Sequence, residues 1–148
     1  MIKKGIKQLI AEAEARTAGI SVADAQKRLA DPDTLFVDLR DVRELERDGM
    51  IPGAFHAPRG MLEFWVDPES PYYKPAFAPG KTFILYCQAD WRGVLAAATL
   101  ADMGVPNVLH LNGGYGEWKK AGFATGPRPH RDAPAGEKSA GDKPAGKS

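Results

Sequence analysis

The stretch FILYCQADWRGVLAAATL, residues 83–100, decides how this chain is read. FILY is a short continuous apolar run, the pattern of a strand buried on both faces. GVLAAATL, after Trp91 and Arg92, has the composition of a tightly packed helix. Cys87 lies at the seam, so it is either a core residue closing a strand or a reactive thiol in a strand-to-helix loop. Free cysteine is among the most buried residue types, which favours the first reading. In a parallel α/β sheet, ligands bind beyond the carboxyl ends of strands, which favours the second.

Working outward, TLFVDL (34–39) and NVLHL (107–111) read as further short strands, with a shorter one around 54–57. Helical spacing of Ile2, Ile6, Leu9, Ile10 and Ala13 predicts an amphipathic helix over 3–16, ended by Gly19. Ser21 with Asp24 and Asp41 with Glu44 are capping patterns, placing helices over 22–30 and 42–48. A helix after Arg92 closes at Gly104, and YGEWKKAG supplies the last one. Residues 60–66 hold a helical turn or two. Four prolines between 67 and 80 make an irregular aromatic loop. Strands alternating with helices predict a parallel sheet covered on both faces.

The chain has 148 residues, 43% of them hydrophobic, and a net charge of +1. That size suits one domain, and the charge balance gives no reason to expect nucleic acid or an anionic membrane as partner. The basic amino terminus is interrupted by Glu12, Glu14 and Arg16, so it reads as a helix rather than a secretion signal, and the expected location is cytoplasmic. One cysteine excludes an internal disulfide, a Cys-x-x-Cys pair and a multi-thiolate zinc site. Three segments result: an N-terminal amphipathic helix (1–19), an α/β domain (20–123), and a Gly/Pro/Ala/Lys tail (124–148) whose composition predicts disorder. PGKT (79–82) is no phosphate loop, because position 75 is Pro75 and the lysine leads into a strand.

A loop between Cys87 and Arg92 has to bend back over the strand end, so its backbone N–H groups can converge on one point at a helix amino terminus. Such a setting, with Arg92 nearby, lowers a thiol's pKa and makes it a candidate nucleophile. Asp90 acts against this, since a carboxylate in the loop repels a thiolate. It either points outward or selects a cationic or polar partner.

FVDLRDVRELERDGMIPGAFHAP (36–58) and ILYCQADWRGVLAAATLADMGVPNVLHLNGGYGEWKKAG (84–122), in this order, resemble a single-domain rhodanese. DLR, E-x(4)-GxIPGA, cysteine-four residues-arginine and LxGGxxxW together carry the likeness. The resemblance implies a rhodanese-like α/β fold around a central, mostly parallel five-stranded sheet. It implies a sulfurtransferase in which Cys87 takes a sulfane sulfur from a thiosulfate-like donor and passes it to a thiol, cyanide-like or protein acceptor. Gln88, Ala89, Asp90, Trp91 and Arg92 would cradle the persulfide, Arg92 would help hold an anionic donor, and no cofactor or metal would be needed. The chain would be a monomer or a homodimer. The family's phosphatases and arsenate reductases carry one more residue between cysteine and arginine, so the shorter loop favours sulfur. The departures are Ala89 and Asp90, where glycine or serine is usual, and Met50, where histidine is common.

Outside the loop, Asp38 and Arg40 read either as pocket charges or as a buried brace for the loops. Arg59 and Trp65, with Glu63, Phe64, Tyr72 and Tyr73, belong to the aromatic insertion and either wall the entrance or cover the core. His56 and His110 read as hydrogen-bonded structural histidines. The alternative to an enzyme is a rhodanese-like module that carries sulfur or binds a protein without rapid turnover.

Overall fold

The computed structural model describes residues 1–129. Five strands, β1 (Ala18–Ile20), β2 (Thr34–Asp38), β3 (Phe55–His56), β4 (Thr82–Tyr86) and β5 (Val108–Leu111), form one sheet in the order β1-β5-β4-β2-β3. Every pairing is parallel. The fold class expected from the sequence is the one observed, with one strand more than periodicity located. That strand, β1, lies just past the helix predicted over 3–16, around the Gly19 read as its stop. Its three residues are too few to show alternation, and it exists because the edge of β5 offers it partners.

Among the described residues six α-helices complete the domain: α1 (Ile6–Glu14), α2 (Val22–Gln26), α3 (Val42–Asp48), α4 (Leu62–Val66), α5 (Trp91–Asp102) and α6 (Gly114–Lys120). Their starts follow local chemistry. Ser21 accepts the Asp24 amide at the head of α2, and Asp41 and Glu44 form a reciprocal capping box on α3.

Alternation along β4 assigns its side chains to two cores. Phe83 and Leu85 pack with Val37, Leu62 and the alanine face of α5, including Ala96 and Ala97, while Ile84 and Tyr86 pack with Phe36, Tyr115 and Trp118 of α6. Small residues on α5 let that helix approach the sheet closely. Its other face takes α1, whose Ile10 and Ala13 meet Val94 and Ala98. Met1, Ile2, Ile6 and Leu9 remain exposed on the amino-terminal segment. Beyond α6 the chain returns to the domain: the Trp118 indole donates to Ala124 O at 2.8 Å, and Met50 and Gly126 exchange backbone hydrogen bonds. The segment expected to be tail therefore begins with residues held against the domain, and its part from residue 130 on lies outside the described residues. Among the described residues no helix is long and apolar enough to cross a membrane.

β4 is the central strand, flanked by β5 and β2. Its carboxyl end is where the order of connections reverses, the place where open α/β sheets leave a crevice. Cys87 is the next residue.

Candidate active site

The Cys87 side chain is buried, 2% exposed. Its sulfur accepts a hydrogen bond from the Asp90 amide at 3.1 Å, so the loop folds back over the strand end as its length requires. Ala89 and Trp91 face solvent, Trp91 being 51% exposed. Gln88 does not. Its Oε1 turns inward to accept from Arg40 Nη1 at 3.3 Å, leaving only its backbone to the loop.

The other side of the loop is fixed by the start of α6. Tyr115 N–H donates to Cys87 O at 2.8 Å, and Gly116 N–H donates to Gln88 O at 3.0 Å. These contacts need Gly114 between them. It sits at φ +64°, and a Cβ there would stand 2.6 Å from Cys87 O and 2.7 Å from Gln88 O. Both carbonyls are thus turned toward α6, on the far side from the Asp90 amide that meets the sulfur. In the sequence this glycine pair appears only as part of the LxGGxxxW pattern, and the brace it provides becomes visible in the fold.

Arg92 is held by Glu44 of α3 through two hydrogen bonds, Nη1 to Oε2 at 2.9 Å and Nη2 to Oε1 at 3.0 Å. The paired guanidinium lowers the Glu44 carboxyl below its ordinary range, mainly through these bonds. Arg92 in turn is raised above its ordinary value, first by Glu44, with the Cys87 sulfur adding to the effect. The cation thus stands in the first turn of the helix that follows the thiol, 41% exposed at its side chain, against a carboxylate that fixes its direction. Glu44 is a second residue the sequence reading missed as part of the site, since its capping role already explained it.

Asp38 and Arg40 are fully buried. Arg40 donates to Asp38 from Nε at 3.0 Å and Nη2 at 2.8 Å, to Gly49 O at 2.7 Å, and lies 4.2 Å over the Tyr115 ring. It thereby ties β2, the end of α3, α6 and Gln88 together from beneath the loop, and neither charge meets solvent. The geometry is that of a brace, one of the two roles the sequence left open. His56 Nε2 donates to Arg40 O at 2.6 Å, completing the same support.

Arg59 and Trp65 make their contacts away from the thiol. Arg59 pairs with Glu63 at 2.8 Å and donates to Thr99 Oγ1 at 3.3 Å. Thr99 lies seven residues along α5 from Arg92, roughly 10 Å at the helical rise. Trp65 packs edge-on against Phe55, with Lys74 Nζ 4.9 Å over its ring. Both residues therefore serve the seam between α4, α5 and β3 in this structure.

A parallel sheet covered on both faces, its central strand ending in a buried thiol with an amide on the sulfur and an arginine in the first turn of the next helix, defines an α/β domain built around a cysteine loop. The chain belongs to the rhodanese-like domain family, whose pattern it matches over residues 21–121. Among solved structures, it is 46% identical to a protein of unknown function from Rhodopseudomonas palustris described as a possible tyrosine phosphatase. That likeness covers 85% of this chain and 97% of the other, with a TM-score of 0.82. The polysulfide-sulfur transferase homodimer of Wolinella succinogenes is 28% identical over 85% of this chain and 90% of its own, with a TM-score of 0.63. A curated relative, an uncharacterized protein of Synechocystis, is 46% identical over 48 residues, a stretch that is 32% of this chain and 27% of that protein.

Proposed function

We propose that the protein is a sulfurtransferase that carries a sulfane sulfur on Cys87. The observation that supports this most directly is the sulfur's position: beyond the central strand, on the Asp90 amide, at the head of the helix whose first turn carries Arg92. A terminal persulfide sulfur is a small anion, and an amide-lined loop with a cation at its edge suits it. The Wolinella neighbour, a polysulfide-sulfur transferase, agrees with this class of chemistry.

The reaction has two displacements. The Cys87 thiolate attacks the outer sulfur of thiosulfate, a sulfur–sulfur bond forms to Cys87, and the old one breaks with its electron pair leaving on sulfite. A thiolate, cyanide-like or protein acceptor then attacks the outer sulfur of the persulfide, and the Cys87 thiolate departs with its electrons. No net oxidant or reductant is consumed. Arg92 meets the charge of the donor, and the loop amides meet the charge left on the persulfide. A thiol that has to stay unpaired between turnovers suits the reducing cytoplasm.

Incubation with thiosulfate is expected to add the mass of one sulfur atom to the peptide containing Cys87, and cyanide is expected to remove it as thiocyanate. An unmodified peptide with every sulfane donor offered, alongside hydrolysis of p-nitrophenyl phosphate, would instead match the phosphatase description of the Rhodopseudomonas neighbour. The loop, with four residues between Cys87 and Arg92, leaves less room for a tetrahedral phosphoryl group than for a single sulfur. Stable loading with slow release to every acceptor tried would make the chain a carrier module instead.

Arg92→Ala is expected to lower kcat/KM for thiosulfate about tenfold, the size of one charge-assisted contact. A neutral organic persulfide donor should lose much less. Equal losses for the charged and neutral donors would remove Arg92 as the donor's anchor.

A further inference from the structure

Asp90 departs from what its position ordinarily requires in two ways. It stands at the amino-terminal cap of α5, where an aspartate normally accepts from the first helical amides, yet its side chain makes no capping bond. Its backbone is also left-handed, at φ 102°, a region a side chain enters at a cost of roughly 1–2 kcal/mol. The carboxylate goes elsewhere. His110 Nδ1, on β5, lies 3.0 Å from Oδ2 and 3.2 Å from Oδ1. An ionised carboxylate only accepts, so the ring donates from Nδ1.

The surroundings are shaped for this contact. A Cβ at Gly93 would stand 2.9 Å from Asp90 Oδ1, so the first turn of α5 has no side chain where the carboxylate lies. The Asp90 and His110 side chains are 13% and 7% exposed. Burial pushes the Asp90 carboxyl above its ordinary range, the His110 bond opposes that, and the charge of Glu14 on α1 adds to the rise. The aspartate therefore does not point outward, one of the two possibilities the sequence left open, and its carboxylate meets a histidine instead. It is anchored inward while its own amide points at Cys87 Sγ.

We propose that Asp90 and His110 form a positioning pair. His110 pins the carboxylate, the carboxylate fixes the left-handed backbone of residue 90, and that backbone holds its N–H on the Cys87 sulfur. His110 also keeps a buried negative charge partnered close to a thiol whose reactive form is an anion. Sulfur transfer is the reading under which this matters for turnover, but the pairing can be tested on the thiol alone.

The readout is the rate at which iodoacetamide alkylates Cys87 in the folded protein at neutral pH. His110→Val, which suits a strand but offers no donor, is expected to slow alkylation about tenfold, as for loss of one hydrogen bond to a charged group. His110→Asn, with an N–H near the Nδ1 position, should recover most of that loss. Asp90→Gly removes the carboxylate and tolerates the left-handed backbone, so Asp90→Gly and Asp90→Gly/His110→Val should alkylate at the same rate. A His110→Val effect of equal size in both backgrounds would show that His110 acts by packing alone and overturn the pair, as would no effect in the wild type. If His110→Val fails to fold, the pair predicts that the double variant folds, since the unpartnered charge is gone. Unfolding of both would overturn it. Normal coupling without any sulfur uptake from thiosulfate would leave the pair standing and sink the sulfurtransferase reading instead.

Discussion

Cys87→Ser is expected to keep the fold and lose sulfur uptake entirely. The substitution changes one atom at a site that is 2% exposed. A serine hydroxyl can still accept the Asp90 amide that now meets the sulfur at 3.1 Å. The stability change should therefore stay within about 1 kcal/mol. Chemistry is another matter, because a hydroxyl does not ionise near neutral pH and cannot hold a sulfane sulfur as a stable anion. Removing a nucleophile of this kind costs at least about a thousandfold in turnover. The blank is clean, since the chain has one cysteine. Intact mass after thiosulfate treatment should show no added sulfur, and thiocyanate formation should match the uncatalysed rate. Thiosulfate:cyanide turnover within tenfold of the wild type would mean that sulfur passes elsewhere and would end the persulfide reading.

Much of this arrangement was legible in the sequence, and the boundary of legibility has physical causes. Strand β4 announced itself because both faces are buried, so FILY needs no polar residues. The heads of α2 and α3 were readable because capping is local, set by Ser21 with Asp24 and Asp41 with Glu44. Strand β1 was not, because three residues carry no period and its partners lie some ninety residues away, Ala18 opposite Leu109. The same distinction governs the site. The placement of Cys87 and Arg92 at a strand-to-helix loop follows from neighbours in the chain. The partners that orient the loop come from afar: Glu44 on Arg92, His110 on Asp90, Tyr115 on the Cys87 carbonyl. Each is a residue type with an adequate local explanation, a cap, a strand histidine, an aromatic core residue, so nothing in its own neighbourhood marks a second task. Asp90 shows the limit most clearly. From sequence its charge could only be weighed against the thiol, whereas in three dimensions that charge is turned away onto a buried imidazole.

Gly114→Ala should be the most damaging single-methyl change outside Cys87 itself. The residue lies at φ +64°, and a Cβ would meet only backbone: Cys87 O at 2.6 Å, Gln88 O at 2.7 Å and Gln88 C at 2.8 Å. No rotamer change relieves such a contact, so either α6 or the cysteine loop has to move. Movement of α6 is resisted by Tyr115 and Trp118, both fully buried. Tyr115 is held further by its hydroxyl, which donates to Asp48 O at 2.7 Å. The loop therefore yields, loosening the bonds from Tyr115 N–H to Cys87 O and from Gly116 N–H to Gln88 O. A left-handed alanine costs about 1 kcal/mol and two weakened backbone bonds about 1 kcal/mol each, giving a loss near 3 kcal/mol. Function should suffer more than stability. A displacement approaching 1 Å at the Cys87 carbonyl re-aims the Asp90 amide that meets its sulfur, and misplacement on that scale costs about a hundredfold in kcat/KM. Gly60→Ala is the matched control, because a Cβ there meets nothing within 4 Å. Thermal melts and thiosulfate kinetics on the two alanine variants separate the cases. If Gly114→Ala keeps more than a third of wild-type kcat/KM while folded, the start of α6 does not set the loop, and the Asp90 amide that meets the sulfur is held by β4 and α5 alone.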